Sequence, residues 1–169
     1  MRRTTYFLTM TKCKIYLDDF RIPINGDSDP YQQYGDWILV KNYTEFCREV
    51  EERGLENIAV ISLDHDLDES AMKEYFNNVS PNYTLNYDNI LEKTGLDCAK
   101  WLVKHFYEKN PEALKTRRMF RGTDIKFPIV YVHSANPIGS GNIMGYINNF
   151  FMNEGQPQSC VRARFPHTN

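Results

Sequence analysis

The chain has no CxxC pair. Its four cysteines, Cys13, Cys47, Cys98 and Cys160, stand singly in apolar segments. That spacing excludes the usual zinc-finger and thioredoxin arrangements and fits buried free thiols in a reducing, cytoplasmic compartment. No apolar run approaches the roughly 20 residues that a membrane-spanning helix needs. Neither sign of charge is in excess: 20 Lys and Arg against 22 Asp and Glu leave a net charge of −2. Polyanion wrapping by the whole surface is excluded, so any phosphate binding must come from a local patch. Internal repeats and low-complexity tracts are also missing. The opening MRRTTYFLTMTK has an arginine pair but no sustained apolar stretch, which makes it a poor secretory signal. Residues 1–11 are expected to be an N-terminal extension and 12–169 a single domain.

What the chain does have is aromatics. Eleven Tyr, ten Phe and two Trp can build a core, which argues against disorder. Three short runs read as strands buried on both faces: Cys13–Leu17, Ile58–Leu63 and Ile129–Val132. Trp37–Lys41 is a weaker strand. Cys160–Phe165 alternates like a half-exposed edge strand. Helical spacing lies between these runs. Thr44 is read as the cap of a helix over 45–53 that Gly54 stops. Thr94 or Gly95 opens a helix to about Lys109, with Cys98, Trp101, Leu102 and His105 on one stripe. A third helix is expected from about Ile143 to Met152. Strands alternating with helices predict an α/β sheet with right-handed crossovers. Residues 20–36 are too broken by Pro and Gly for a full crossover helix. Residues 67–94 and 110–128 look like inserted loops, a length often tied to function.

The chemistry gathers where the strongest strands end. Cys13–Leu17 runs into Asp18-Asp19, Ile58–Leu63 into Asp64-His65-Asp66, and Ile129–Val132 into His133-Ser134-Ala135-Asn136. In a parallel sheet these ends share the carboxyl edge, where open α/β folds bind ligands. Four carboxylates and two imidazoles should therefore converge. Clustered carboxylates repel unless neutralised. A divalent cation, Mg²⁺ or Mn²⁺, held by Asp18, Asp19, Asp64 and Asp66 is the simplest neutraliser. His65 would act as base or ligand and His133 as acid on a leaving oxygen, with Ser134 steadying a phosphoryl oxygen. Asn136 to Asn142 is Gly-rich and runs into a helix. Asn136, Gly139, Ser140 and Gly141 are therefore expected to cradle a phosphate with backbone N–H groups. Arg21, Arg162 and Arg164 are further phosphate partners. The basic stretch Lys115–Lys126 offers a possible nucleic-acid contact beside the alternative of a solvated loop. His105 fits a core position.

Four segments in order resemble one family. They are Leu17-Asp18-Asp19-Phe20-Arg21-Ile22-Pro23, Ser62-Leu63-Asp64-His65-Asp66-Leu67, Thr94-Gly95-Leu96-Asp97 with Trp101-Leu102, and Val132-His133-Ser134-Ala135-Asn136-Pro137-Ile138-Gly139. They look like the cyclic-phosphate-processing receiver-like domain of phages and bacteria, over roughly residues 12–150. The resemblance implies a receiver-like (CheY/flavodoxin-like) three-layer α/β fold. Its sheet would be mostly parallel and five-stranded, in order 2-1-3-4-5, and the eroded first crossover helix of this chain departs from the family pattern. It also implies a role in processing cyclic phosphates and a cytoplasmic location, in the host if phage-encoded. An ordinary receiver carries a lysine after its last strand, and Pro166-His167 stands here instead.

Three activities fit these residues. The first is a metal-dependent phosphodiesterase acting on an RNA 2′,3′-cyclic end or a cyclic nucleotide, in RNA processing or phage counter-defence. The second is a non-catalytic protein that sequesters the same ligand. The third is a receiver that accepts phosphate on Asp64.

Overall fold

The computed structural model describes residues 12–24, 27–111, 127–153 and 160–163, together with the backbone of 167–168. The expected extension (1–11), the basic stretch Lys115–Lys126 and Arg164 lie outside the described residues.

Five parallel strands form the main sheet: β1 (Cys13–Leu17), β3 (Trp37–Val40), β4 (Ile58–Leu63), β5 (Ile129–Val132) and β6 (Val161–Arg162). They lie in the order β3-β1-β4-β5-β6. Counting only the strands of this sheet, that order is 2-1-3-4-5, the receiver arrangement. A separate two-stranded antiparallel ladder joins β2 (Ile22–Pro23) to β7 (His167–Thr168). It ties the tail of the chain to the loop after β1. Among the described residues of the expected edge strand, Val161 and Arg162 pair with β5 and are both exposed, while Cys160 is buried.

Strand alternation sorts the side chains into two layers. Ile15, Leu17, Ile61, Leu63, Val130 and Val132 face three helices: α1 (Tyr43–Arg53), α3 (Gly95–Lys109) and α4 (Pro137–Asn153). Phe46 and Val50 from α1, Cys98, Leu102 and Phe106 from α3, and Ile143, Ile147 and Phe150 from α4 fill that layer. On the other face Tyr16, Trp37 and Val60 pack with Tyr31, Tyr34 and Tyr131. Among the described residues the first crossover contributes only a 3₁₀ turn, Gln32–Tyr34, to this side, as its Pro and Gly content predicts. Lys14 is fully buried there, paired with buried Asp29 and 4.9 Å from the centre of the Trp37 ring.

Two helix starts differ from the sequence expectation. Asn42, not Thr44, caps α1: its side chain accepts the Glu45 N–H at 2.9 Å, and Glu45 returns a carboxylate to the Lys41 N–H. Helix α4 begins six residues early, at Pro137, because Asn136 Oδ1 caps it by accepting the Gly139 N–H at 2.9 Å. Pro at the first helical position after Asn is a start signal. The two glycines concealed it. Residues 67–94 are a folded insertion with helix α2 (Glu69–Glu74), a π-helical turn (Tyr75–Val79) and a further turn over Ser80–Asn82. No described helix is long and apolar enough to cross a membrane.

Candidate functional site

The register levels the strand ends. Leu17 pairs with Leu63, and Leu63 with Val132. The next residues continue the ladder: Asp64 N–H donates to Leu17 O at 2.9 Å and His133 N–H to Leu63 O at 3.0 Å. Asp18, Asp64 and His133 thus form one row at the carboxyl edge, with Asp19, His65 and Ser134 one residue further on.

Asp18 is the hub of this row. Its Oδ1 accepts the N–H groups of Phe20 (2.9 Å) and Arg21 (2.6 Å). Its Oδ2 takes Arg21 Nε at 2.8 Å and His133 Nε2 at 3.0 Å. Four contacts use the four lone-pair directions of a carboxylate. Burial raises the Asp18 pKa, but the hydrogen bonds from His133 and the Arg21 and Phe20 amides, with the Arg21 charge, outweigh it and leave the group below the usual carboxylate range. Arg21 also reaches Asp64 Oδ1 at 2.9 Å and donates to the His133 carbonyl at 3.1 Å. The Asp64 contact is one of charge, without hydrogen-bond alignment, so that buried oxygen has no hydrogen-bond partner among the described residues. Burial pushes the Asp64 pKa up to about 6. Arg21 and the Ser134 hydroxyl pull it down, while Asp18 and Asp66 add to the rise. Asp19, which is exposed, is raised by desolvation and by Asp18.

The two histidines do not share a point. Strand parity sends them to opposite sides of the sheet. His133 stacks on Tyr16, with ring centroids 4.1 Å apart, and meets the Ser62 hydroxyl at 2.7 Å through Nδ1. His65 is fully buried beneath the helix starts, its Nδ1 2.7 Å from Asp66 Oδ1 and its Nε2 3.1 Å from the Tyr87 hydroxyl. A Cβ on Gly139 would run into the His65 ring, and one on Gly95 into the Asp64 carbonyl. Both glycines are therefore close-approach residues that let α4 and α3 seat against the 64–65 turn.

A cavity of about 400 Å³ opens at this edge, lined by Asp18, Asp19, Phe20, Arg21, Asp64, Asp66, Met72, Tyr75, Ser134 and Ala135. Neither histidine lines it. His65 and His133, expected as proton-transfer groups, each have both ring nitrogens on protein partners. His133 orients Asp18, and His65 orients Asp66. The residues expected to cradle a phosphate form the start of α4. The N–H of Gly139 is held by Asn136 Oδ1 and that of Ser140 by the Asn136 carbonyl. Gly141 lies inside α4, and Asn136 is buried as its cap. Ser134 and Arg21 remain at the cavity. Arg162 sits nearby, donating to the Ser134 carbonyl at 2.7 Å.

A metal must be matched to free oxygens. Asp18, Asp19 and Asp64 each offer an atom within 4.8 Å of the others. Asp66 is not in that set, and its Oδ1 goes to His65 and to the Asn136 amide at 3.2 Å. Asp18 has no lone pair to spare, which leaves Asp19 and Asp64 as the free donors. Mg²⁺ is commonly held by one or two carboxylates and several waters, so this pair fits a hydrated divalent cation.

Sequence reasoning missed four contributors. Ser62 is the one hydroxyl in an otherwise apolar strand, which is a legible signal. Tyr87 and the cavity rim of Met72 and Tyr75 come from the insertion, where nothing in the spacing points to them. No curated protein and no solved structure matches the chain. The sequence model of the cyclic-phosphate processing receiver domain matches residues 13–149, and with the receiver strand order and the acidic carboxyl edge this shows that the chain belongs to that family.

Proposed function

We propose that this edge cavity binds and hydrolyses a cyclic phosphate, of an RNA 2′,3′-cyclic end or a cyclic nucleotide, with a divalent cation. The observation that carries the proposal is the charge of the floor. Buried Asp18, Asp64 and Asp66 and exposed Asp19 meet one guanidinium, Arg21, at this cavity. That excess repels a lone phosphate and favours one arriving with a cation.

Asp19 and Asp64 would hold the cation, which when bound would polarise the phosphoryl group and ready a water for attack. Arg21 and Ser134 donate to the phosphoryl oxygens. Asp18 keeps Arg21 in place, and His133 keeps Asp18 in place. The test is hydrolysis of a panel of 2′,3′-cyclic phosphates and cyclic mono- and dinucleotides with Mg²⁺ or Mn²⁺. Turnover lost in Asp19→Ala and Asp64→Asn supports the proposal; a wild-type protein inert across the panel sinks it.

The enclosed histidines favour a second reading, a binder that sequesters the ligand. It expects tight binding with the ligand recovered at unchanged mass. A phospho-accepting receiver would be labelled on Asp64 by acetyl phosphate. The side chain at the end of the last strand is Arg162 rather than lysine, and it is bonded to a carbonyl, which weighs against that activity.

A further inference from the structure

The floor of the cavity is polar, but its rim is not. Phe20 is 79% exposed and Met72 40%, and both line the cavity together with half-buried Tyr75. Single exposed apolar side chains need no explanation, but two beside a half-buried tyrosine over one charged floor do.

The three are held in place. Phe20 leaves the Asp18 turn, whose carboxylate fixes the N–H groups of both Phe20 and Arg21. The aromatic ring and the guanidinium therefore project from one rigid turn. Met72 and Tyr75 are three residues apart, on the same side of α2 and the π-helical turn that follows it. Glu74 between them is buried and accepts from Asn78, the Asn86 N–H and Asn89, each at 2.8 Å. Glu92 binds the Ala71 N–H at 2.7 Å and the Ser70 hydroxyl. The insertion thus presents its apolar residues on an anchored base, and a π-helical turn is a frequent mark of a functional site.

We infer that Phe20, Met72 and Tyr75 form a stacking platform for the base of one nucleoside phosphate whose phosphoryl group rests on the floor beneath. The ligand is then a nucleotide unit, free or at an RNA end, and not a base-free sugar phosphate. This inference rests on the phosphate-binding function proposed above. A volume of about 400 Å³ is at the lower end of small-ligand sites and favours one nucleotide unit. Phe20 and Met72 carry no hydrogen-bonding group to read a base edge, so purines and pyrimidines are both accepted, as stacking platforms generally allow.

Equilibrium dialysis in Mg²⁺, with ligand and any product quantified by mass, tests this. The probes are adenosine 2′,3′-cyclic phosphate, uridine 2′,3′-cyclic phosphate and ribose 2,3-cyclic phosphate, against wild type, Phe20→Ala and Phe20→Trp. The platform predicts both nucleosides held at least about 5-fold tighter than the ribose compound, the scale of one base–aromatic stack. Phe20→Ala should lose about 5- to 100-fold for the nucleosides with ribose binding unchanged, and Phe20→Trp should restore it. Phe20 is too exposed for these changes to endanger the fold. Equal wild-type affinity for ribose and nucleoside compounds, or an equal loss of both in Phe20→Ala, overturns the platform while leaving the phosphate floor intact. No wild-type binding of any of the three overturns both.

Discussion

Asp64→Asn should make the metal-free protein more stable at neutral pH while removing the proposed hydrolysis. Asp64 lies at 5% exposure, and its pKa is pushed up to about 6 by burial first, then by Asp18 and Asp66. The unfolded chain restores an ordinary aspartate near about 3.9. Between these values the folded protein binds more protons than the unfolded one, so stability falls as pH rises through the window and is flat above it. A difference of roughly two units corresponds to about 3 kcal/mol at pH 8. The net gain for the asparagine is smaller, because the Arg21 charge contact at 2.9 Å is lost with the carboxylate; about 1–3 kcal/mol remains. For a chain of this length that is a rise in Tm of about 5 °C. Thermal unfolding in EDTA from pH 5 to pH 8 reads it directly. The variant should lead at pH 8, and the gap should shrink toward pH 5 as wild-type Asp64 takes up its proton. A variant less stable than wild type at pH 8, or a gap that ignores pH, refutes the argument.

Other perturbations probe the surrounding architecture. Mg²⁺ at 100 times its Kd should stabilise wild type by about 2.7 kcal/mol and leave Asp64→Asn nearly unmoved, read by the same melts. Gly139→Ala drives a methyl into the fully buried His65 ring and should cost about 1–3 kcal/mol in urea unfolding. Gly141→Ala meets nothing within 4 Å and should be neutral or stabilising by about 0.5–1 kcal/mol. Lys14→Met strands Asp29, which is 2% exposed, as an unpaired buried charge and should cost about 3–5 kcal/mol, with Asp29→Asn in the same chain recovering much of it.

Strand positions and the acidic row were legible because both depend on local pattern. Apolar runs ending in Asp18, Asp64 and His133 require only that parallel strands end together. What was not legible depends on parity and on close approach. Asn136-Pro137 carries a helix-start signal, yet Gly139 and Gly141 read as a loop. Gly139 serves a contact with His65 across 74 residues of sequence, and no local rule shows that. His65 and His133 looked equivalent as strand-end histidines. One sits directly after its strand and the other one residue later, and that single step puts them on opposite sides of the sheet. Lys14 sits in a run that reads as an apolar strand, and its partner Asp29 lies in a crossover with no regular pattern to announce it.

The same parity explains how a cluster of carboxylates is tolerated. His133, on the Tyr16 side, is held by the Ser62 hydroxyl at 2.7 Å and passes a hydrogen bond to Asp18 at 3.0 Å. Asp18 accepts from Arg21 Nε at 2.8 Å, and Arg21 reaches Asp64 at 2.9 Å. A polar chain therefore runs from Ser62, near the end of β4, to the cavity floor. Satisfied at each link from Ser62 to Arg21, it stiffens that part of the site. It ends on the Asp64 oxygen that lacks a hydrogen bond, where the remaining electrostatic strain is concentrated. Asp19, exposed beside it, completes a pair of carboxylates whose repulsion a cation would relieve. Asp18, though first in the motif and most buried of the three, is thereby the ligand-positioning residue. Asp18→Asn should disturb the seating of Arg21 and Phe20 together, so nucleotide affinity titrated in Mg²⁺ should fall although Asp19 and Asp64 are both intact. Unchanged affinity in Asp18→Asn would show that the chain does not act as a unit.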